Sequence, residues 1–347
     1  MTGQRWKQRP EGSNWGDFGD DDQLGRLNLL TPERVRRAVA EVREGLVFCL
    51  SLPLDMPGGN VMNTYRLPPR LKPSDNHGKP NMNYPIGMEK PGYVDVFNDD
   101  VVELNLQYST QWDSLAHVGQ LFDADGDGVP EIVYYNGFRA GEHIVGNVDF
   151  LSGAETPEAR PGARALGVEL MATRCIQGRG VMIDFEAHYG RRHHLVGYDD
   201  LRRIMDADGV ELEEGDIVCI RTGVPKMLYE MKGNPDATMV RNSFAKLDGR
   251  DEGILRWVTD SGIVAIVCDN NAVEASPSRP CSHDGCALLP LHEHCLFKLG
   301  VYLGEFWELD ALADWLRANG RNRFLLTAPP LRLPRAVGSP VTPVATV

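Results

Sequence analysis

The sequence has no apolar run approaching the roughly 20 residues that a membrane-spanning helix requires. Met1 to Gly16 is polar and lacks the hydrophobic middle of a secretory signal. A cytoplasmic protein is the expectation. Positive charge is also short: Lys and Arg total 36 against 49 Asp and Glu, a net charge of −13. That balance argues against nonspecific binding to nucleic acid or an anionic membrane, and it favours a small molecule as partner. Cysteine is sparse and odd in number, seven residues scattered from Cys49 to Cys295 and often inside apolar runs. Reduced, buried thiols are expected in place of a disulfide framework. No internal repeat is evident, and 347 residues suffice for one large core or two modest ones.

The first dozen residues are charged and carry Pro and Gly, which reads as an arm that is flexible or packs on another subunit. Thr31 caps a predicted helix with Pro32 at its first position and Glu33 in its first turn, running through Val35, Val39 and Val42 toward Gly45. Pro53 to Pro91 is rich in Pro, Asn and Gly with little periodicity, so it reads as a long irregular excursion, of a kind that covers a site or packs in an oligomer. Three apolar runs, Val181 to Ile183, Ile217 to Ile220 and Ile263 to Cys268, end in Asp184, Arg221 and Asp269. They read as buried strands with charges at their exits, where α/β proteins gather ligand sites; each charge also suits an ion pair or cap. Tyr198 to Met205 and Glu252 to Asp260 read as helices between them. The mixture is that of one compact α/β domain.

From Leu104 to Val118 the chain reads LNLQYSTQWDSLAHV, a string of coordinating and proton-transferring groups in an apolar frame. Val102, Leu104 and Leu106 alternate with polar residues as in a half-buried strand. If that strand continues, Gln107, Ser109, Gln111 and Asp113 project from one face. Asp113 and His117 are spaced i to i+4, which on a helical turn brings carboxylate and imidazole together. Such a pair suits metal binding or proton transfer, or a capping Asp beside a satisfied His. Tyr108, Trp112 and Phe306 are candidate walls for an apolar substrate, although aromatic side chains in such segments more often belong to a core.

Near the other end, ALLPLHEHCLFKLG turns helical after Pro290 and stops at Gly300, while VYLGEFWEL alternates as a strand with Glu305 among apolar neighbours. A buried carboxylate needs a cation, a proton or a strong donor. Asp310 is expected to cap the helix that follows. Cys281, His283, Cys286, His292 and His294 lie close together but lack the tight spacing of a zinc knuckle. DADGDGVPE, from Asp123, opens like a calcium loop yet carries Tyr134 at the twelfth position, so a solvated Asp/Gly turn competes with a weak calcium site. His188, His193 and His194 have no spacing that favours ligation.

The segment from Gln107 to His117 resembles the motif H-x-G-T-H-x-D-x-x-x-H of the metal-dependent cyclase superfamily, which includes kynurenine formamidase and isatin hydrolase. Thr110, Asp113 and His117 stand in their motif positions; Ser109 replaces the Gly, and Gln107 and Gln111 replace the first two histidines. WGDFGDDDQLGRLNLLTPERV, GRGVMIDFEAHYG, EEGDIVCIRTG, VCDNNAVEASP, LHEHCLFKLGVYLGEFWELDALA and GSPVTPVA resemble landmarks of a longer branch, in which Gln is common at both histidine positions. The resemblance implies a single-domain swivelling β/β/α fold with a central mixed β-sheet or barrel and peripheral helices. On that reading residues 1–45 form an arm and helix, 46–335 the catalytic domain and 336–347 a tail.

It further implies an enzyme that hydrolyses an amide, imide or lactone of a small cyclic compound. A divalent ion (manganese or zinc, with magnesium a further option) is held by Asp113, Glu305, Gln107 and Gln111, with His292 and Glu293 competing for one more position, and His117 transfers protons. A homo-oligomer is expected. Two other readings stay open at this point: a metal-free lyase, dehydratase or cyclase using the same pocket, and a non-catalytic member that binds a small molecule.

Overall fold

The computed structural model describes residues 4–156, 160–282 and 285–347. Its centre is a nine-stranded mixed sheet that curls into a half-barrel, the α/β architecture expected. In chain order the strands are β1 (Val47–Cys49), β2 (Gln111–Asp113), β3 (Gln177–Asp184), β4 (Ile217–Arg221), β5 (Ala265–Cys268), β6 (Tyr302–Glu305), β7 (Arg323–Thr327), β8 (Gly338–Pro340) and β9 (Val344–Thr346). Across the sheet they run β1-β9-β7-β3-β4-β5-β6-β2-β8. The continuous apolar runs become the parallel strands β3 to β5, and the alternating segment ending at Glu305 adds β6 in parallel beside them, all buried on both faces, as parallel sheets require. β2, β7, β8 and β9 close the flanks in antiparallel pairings.

The helices begin and end where local chemistry dictates. Thr31 Oγ1 accepts from Arg34 N at the start of α1 (Pro32–Val39). α2 (Tyr198–Asp208) stops at Gly209 in the left-handed region, and Asp251 caps α3 (Glu252–Ser261). α4 (Pro290–His292) continues as a π-helix over Glu293–Leu299 and ends at Gly300. Asp310 departs from expectation: it is the first residue of α5 (Asp310–Ala318), after Leu309 at the N-cap, and its carboxylate accepts from Arg221 Nε at 2.8 Å. The exit charges are likewise structural. Asp184 pairs with Arg221 and Arg317, and Asp269 accepts from the backbone N–H groups of Thr222 and Gly223.

The single strand expected to run through Asp113 does not form. Asp100–Glu103 pairs with Arg70–Pro73 in the excursion, a turn intervenes, and pairing resumes only at Gln111. Thr110 anchors the break, its hydroxyl donating to Phe306 O at 2.5 Å and accepting from Leu52 N at 2.9 Å. The period-2 face that joined Gln107 to Gln111 is therefore lost. The segment 336–347, set apart in the sequence as a tail, supplies β8 and β9 of the central sheet. The N-terminal residues pack on their own chain: Trp6 and Trp15 are buried, and Trp15 Nε1 donates to Phe297 O.

Five cysteines are free, of which Cys219, Cys268 and Cys295 are buried and Cys49 and Cys175 exposed. Cys281 and Cys286, with Cα atoms 6.3 Å apart, are joined as a disulfide, so the expectation of reduced thiols throughout fails where a short loop brings two of them within bonding reach. Among the described residues no helix is long and apolar enough to cross a membrane.

Gly25 and Gly300 cross backbone to backbone, which seats the N-terminal segment on the end of the π-helix. A Cβ on Gly25 would lie 2.4 Å from Gly300 O, and Gly25 has φ of 53°. Gly25→Ala should therefore lower the unfolding free energy by about 1–3 kcal/mol, read as an earlier urea midpoint; an unchanged midpoint would contradict the tight crossing.

Candidate active site

β2 lies antiparallel to β6 with Gln111 opposite Glu305 and Asp113 opposite Leu303. That register brings Gln111 Nε2 to 3.2 Å from Asp113 Oδ1 and 3.3 Å from Glu305 Oε2. α4 adds His292, whose Nε2 is 3.3 Å from Glu305 Oε1. Asp113, His292 and Glu305 thus offer ligand atoms all within 4.8 Å of one another, and all three are buried, as is Gln111. His117 follows on a turn, with its N–H donating to Ser114 O, and its Nε2 is 3.7 Å from Asp113 Oδ1. The carboxylate and imidazole therefore meet through a turn in place of the helix that their spacing predicted.

Beneath His292 sits a residue that the sequence reading missed. Glu274 is wholly buried, and its Oε1 accepts from both the backbone N–H (3.0 Å) and the Nδ1 (2.9 Å) of His292, while Oε2 accepts from Leu291 N at 3.1 Å. Ala272 and Val273, both in the left-handed region, turn the chain to place it. Its one signal was a Glu isolated among small residues in AVEAS, the same pattern that singled out Glu305.

Burial pushes the Asp113 carboxyl up, against the opposing pull of His117. Glu305 feels the same burial, but the hydrogen bond and charge of His292 outweigh it and hold its pKa down. Burial also acts against a charged His292, yet Glu274 and Glu305 raise it to about 10. One imidazolium is thus shared between two carboxylates. Two buried acceptors in the cluster, Asp113 Oδ2 and Gln111 Oε1, have no hydrogen-bond partner. Orphaned oxygens beside carboxylates and an imidazole are what a divalent cation would take, so these residues fit a metal ion.

His292 and Glu305 of this cluster line the floor of a cavity of about 490 Å³, with Asp113 and Gln111 buried behind them. Tyr108, Phe306, His117, Gln107 and Arg66 line it. Gln107 shares the cavity but not the buried cluster: its amide packs over Gly338, where a Cβ would come within 2.2 Å of Nε2. Of the two residues competing after Pro290, His292 faces the cluster. Glu293 is turned away by the helix and pairs with Lys298 at 3.5 Å, and His294 Nε2 meets Thr259 Oγ1 at 2.9 Å. Trp112 is corrected from wall to core: it is fully buried, donates to Ala328 O at 2.8 Å and meets Trp307 edge-on, because neighbouring residues of a strand face opposite sides.

The remaining candidates resolve locally. The Cys281–Cys286 disulfide removes both thiolates from the Cys/His set, and His283 lies outside the described residues. Asp123, Asp125 and Glu131 do approach one another, but Asp123 accepts from the N–H groups of Gly126 and Gly128 and Glu131 pairs with Arg139, the bonding of an Asp/Gly turn. His188 and His194 pair with Asp208 and Asp200.

The geometry has counterparts among known proteins. The family model Cyclase, described as "Putative cyclase", matches residues 50–275. A solved structure of a novel cyclase is 29% identical, with 96% of this chain and 97% of that chain covered and a TM-score of 0.72. Isatin hydrolase A from Labrenzia aggregata, bound to benzyl benzoate, is 14% identical over 89% of this chain and 95% of that one, with a TM-score of 0.52. An isatin hydrolase bound to the product analogue thioisatinate is 14% identical over 92% and 99%, also with a TM-score of 0.52. At such identity the two hydrolases share the fold with this chain. No curated protein matches the sequence. The buried cluster on a curled mixed sheet and the family match together identify the chain as a member of the cyclase family.

Proposed function

We propose that this protein is a metal-dependent hydrolase of an amide, imide or lactone bond in a small cyclic compound. The observation that carries this reading is the buried Asp113–His292–Glu305 cluster with its orphaned acceptors on Asp113 and Gln111. The family, and isatin hydrolases that share the fold, support the substrate class. Asp113, His292 and Glu305 would hold the ion, with the Gln111 amide beside them. A divalent ion there supplies a Lewis acid that polarises the carbonyl and makes water acidic near neutral pH. Carboxylate and amide oxygens beside a single imidazole favour manganese or magnesium, with zinc also accepted.

The chain's own groups divide the remaining work. Glu274 accepts from the Nδ1–H of His292, which fixes the ring and leaves Nε2 for the ion. His117, part-exposed on the cavity wall, takes a proton from the attacking water and returns it to the leaving nitrogen or oxygen. Phe306 and Tyr108 flank an apolar ring, Tyr108 being held by its hydroxyl donating to Gly59 O at 2.7 Å. Gln107 offers an amide to the substrate from the same wall. We also infer a homo-oligomer, because Leu71 of the excursion and Tyr93 and Val94 just after it are exposed and need a partner surface.

His117→Asn should cut turnover about a hundredfold or more while the melting temperature stays within a degree or two; a parallel loss of both would make His117 structural. Chelation should abolish activity, with manganese restoring it best. Asp113→Asn should retain no ion, Glu274→Gln should weaken retention about 10–100-fold, and Gln111→His alone should raise zinc retention. Full turnover after exhaustive chelation would sink the metal mechanism. Light scattering should give a multiple of 38.5 kDa, and a monomer mass across micromolar concentrations would defeat the oligomer.

A further inference from the structure

The cavity walls differ in charge from the rest of the chain. The protein carries a net charge of −13, yet the cavity lining holds Arg66 and Arg241, and among the described residues its one carboxylate is Glu305 on the floor. Arginines with a structural task in this protein have several of their donors engaged: Arg221 meets Asp184, Glu186, Asp310 and Asp314, Arg179 meets Glu213 and Asp216, and the buried Arg26 donates to the carbonyls of Val258, Thr259 and Ile263. Arg66 and Arg241 differ. Arg66 Nη1 donates to Gln107 O at 2.8 Å and Arg241 Nη2 to Met62 O at 3.3 Å, and among the described residues neither has an ion-pair partner.

A guanidinium has five N–H donors in a planar fork matched to a carboxylate. One bond to a backbone carbonyl leaves most of that capacity free at the cavity. The two residues also stand at different depths. Arg66 is half-buried and close enough to act electrostatically on both Asp113 and Glu305, whereas Arg241 is exposed, so Arg66 lies nearer the floor and Arg241 nearer the opening. Two simpler roles compete. Arg66 can serve only to offset the buried carboxylates, and Arg241 can serve only as a cation at the end of the helix Ala237–Arg241.

We propose that this cavity selects an anionic substrate, a cyclic compound carrying a carboxylate away from the bond to be broken, with Arg241 holding that carboxylate and Arg66 beside it. The proposal rests on the hydrolase reading only for which bond breaks; the preference for an anion stands on the cavity itself. A neutral cavity with an acidic floor would repel such a ligand. Two unpaired guanidiniums reverse that, and a charge-assisted contact with one of them is worth about a tenfold to hundredfold gain in affinity.

The test is a binding measurement on wild-type protein treated with chelator, so that no ion on the floor can hold the carboxylate. Benzoate should bind at least about tenfold more tightly than methyl benzoate, and the difference should shrink with added salt. Arg241→Gln should remove the preference, Arg241→Lys should keep part of it, and Arg66→Gln should reduce it. Equal binding of the two probes would overturn the proposal, and so would a preference that survives both glutamine variants. Turnover of 4-carboxyphthalimide, measured separately with manganese, tests the hydrolase reading: its failure alongside a benzoate preference would leave the anion site standing, and the converse would leave only the hydrolase.

Discussion

Three carboxyl groups, Asp113, Glu274 and Glu305, are withdrawn from water around one imidazole, and no lysine or arginine forms an ion pair with any of them among the described residues. Each ionised carboxylate costs several kcal/mol to bury even after relaxation. His292 compensates two of them and Gln111 donates to two, but Asp113 keeps an oxygen with no partner. In an apolar core such an arrangement is costly unless a proton or a cation completes it. The upward push on Asp113 is the proton solution, and a divalent ion is the other. The fold holds the cluster in readiness for either, and the rest of the site follows from that constraint.

What keeps the carboxylates from moving apart is the sheet. Asp113 and Gln111 sit on a three-residue strand paired on both sides, with β6 on one edge and β8 on the other, so the backbone has no freedom to relieve the crowding. His292 lies two residues after Pro290 in the first turn of α4, and Glu274 binds its backbone as well as its ring. The imidazole is therefore fixed from behind before any ligand arrives. That is the preorganisation a catalytic site needs, since electrostatic stabilisation acts only if the groups need not reorient during the reaction.

Much of this was legible in the sequence wherever a local rule decides. The apolar runs of β3 to β5, the Thr31 cap, the Pro290 to Gly300 helix and the Asp113–His117 pair all follow from spacing and residue type. Gln107 was misplaced because alternation was extended through a turn that Thr110 enforces by bonding to Leu52 and Phe306, residues distant in sequence. Trp112 could be assigned to core or cavity only once the strand direction was known. The choice between His292 and Glu293 rested on a helical phase that a single residue reverses. Glu274 and Arg66 were invisible for another reason: their meaning lies in what they face, and those partners come from 18 residues away in one case and from a separate wall of the cavity in the other.

The site is thus built in two electrostatic tiers. Its floor is acidic and buried, its imidazole clamped and its carboxylates short of positive charge, which suits a small hard cation. Its walls carry guanidinium groups with no acid paired to them among the described residues. A substrate bridging the tiers would place a polarised carbonyl at the floor and negative charge at the rim, and the distance between them would set which bond comes to lie beside His117. In such a cavity orientation and selectivity come from one source, the separation of charge along its depth. The chain's overall acidity sharpens the effect, because an anion repelled from most of the surface finds at this opening one of the places where it is drawn in.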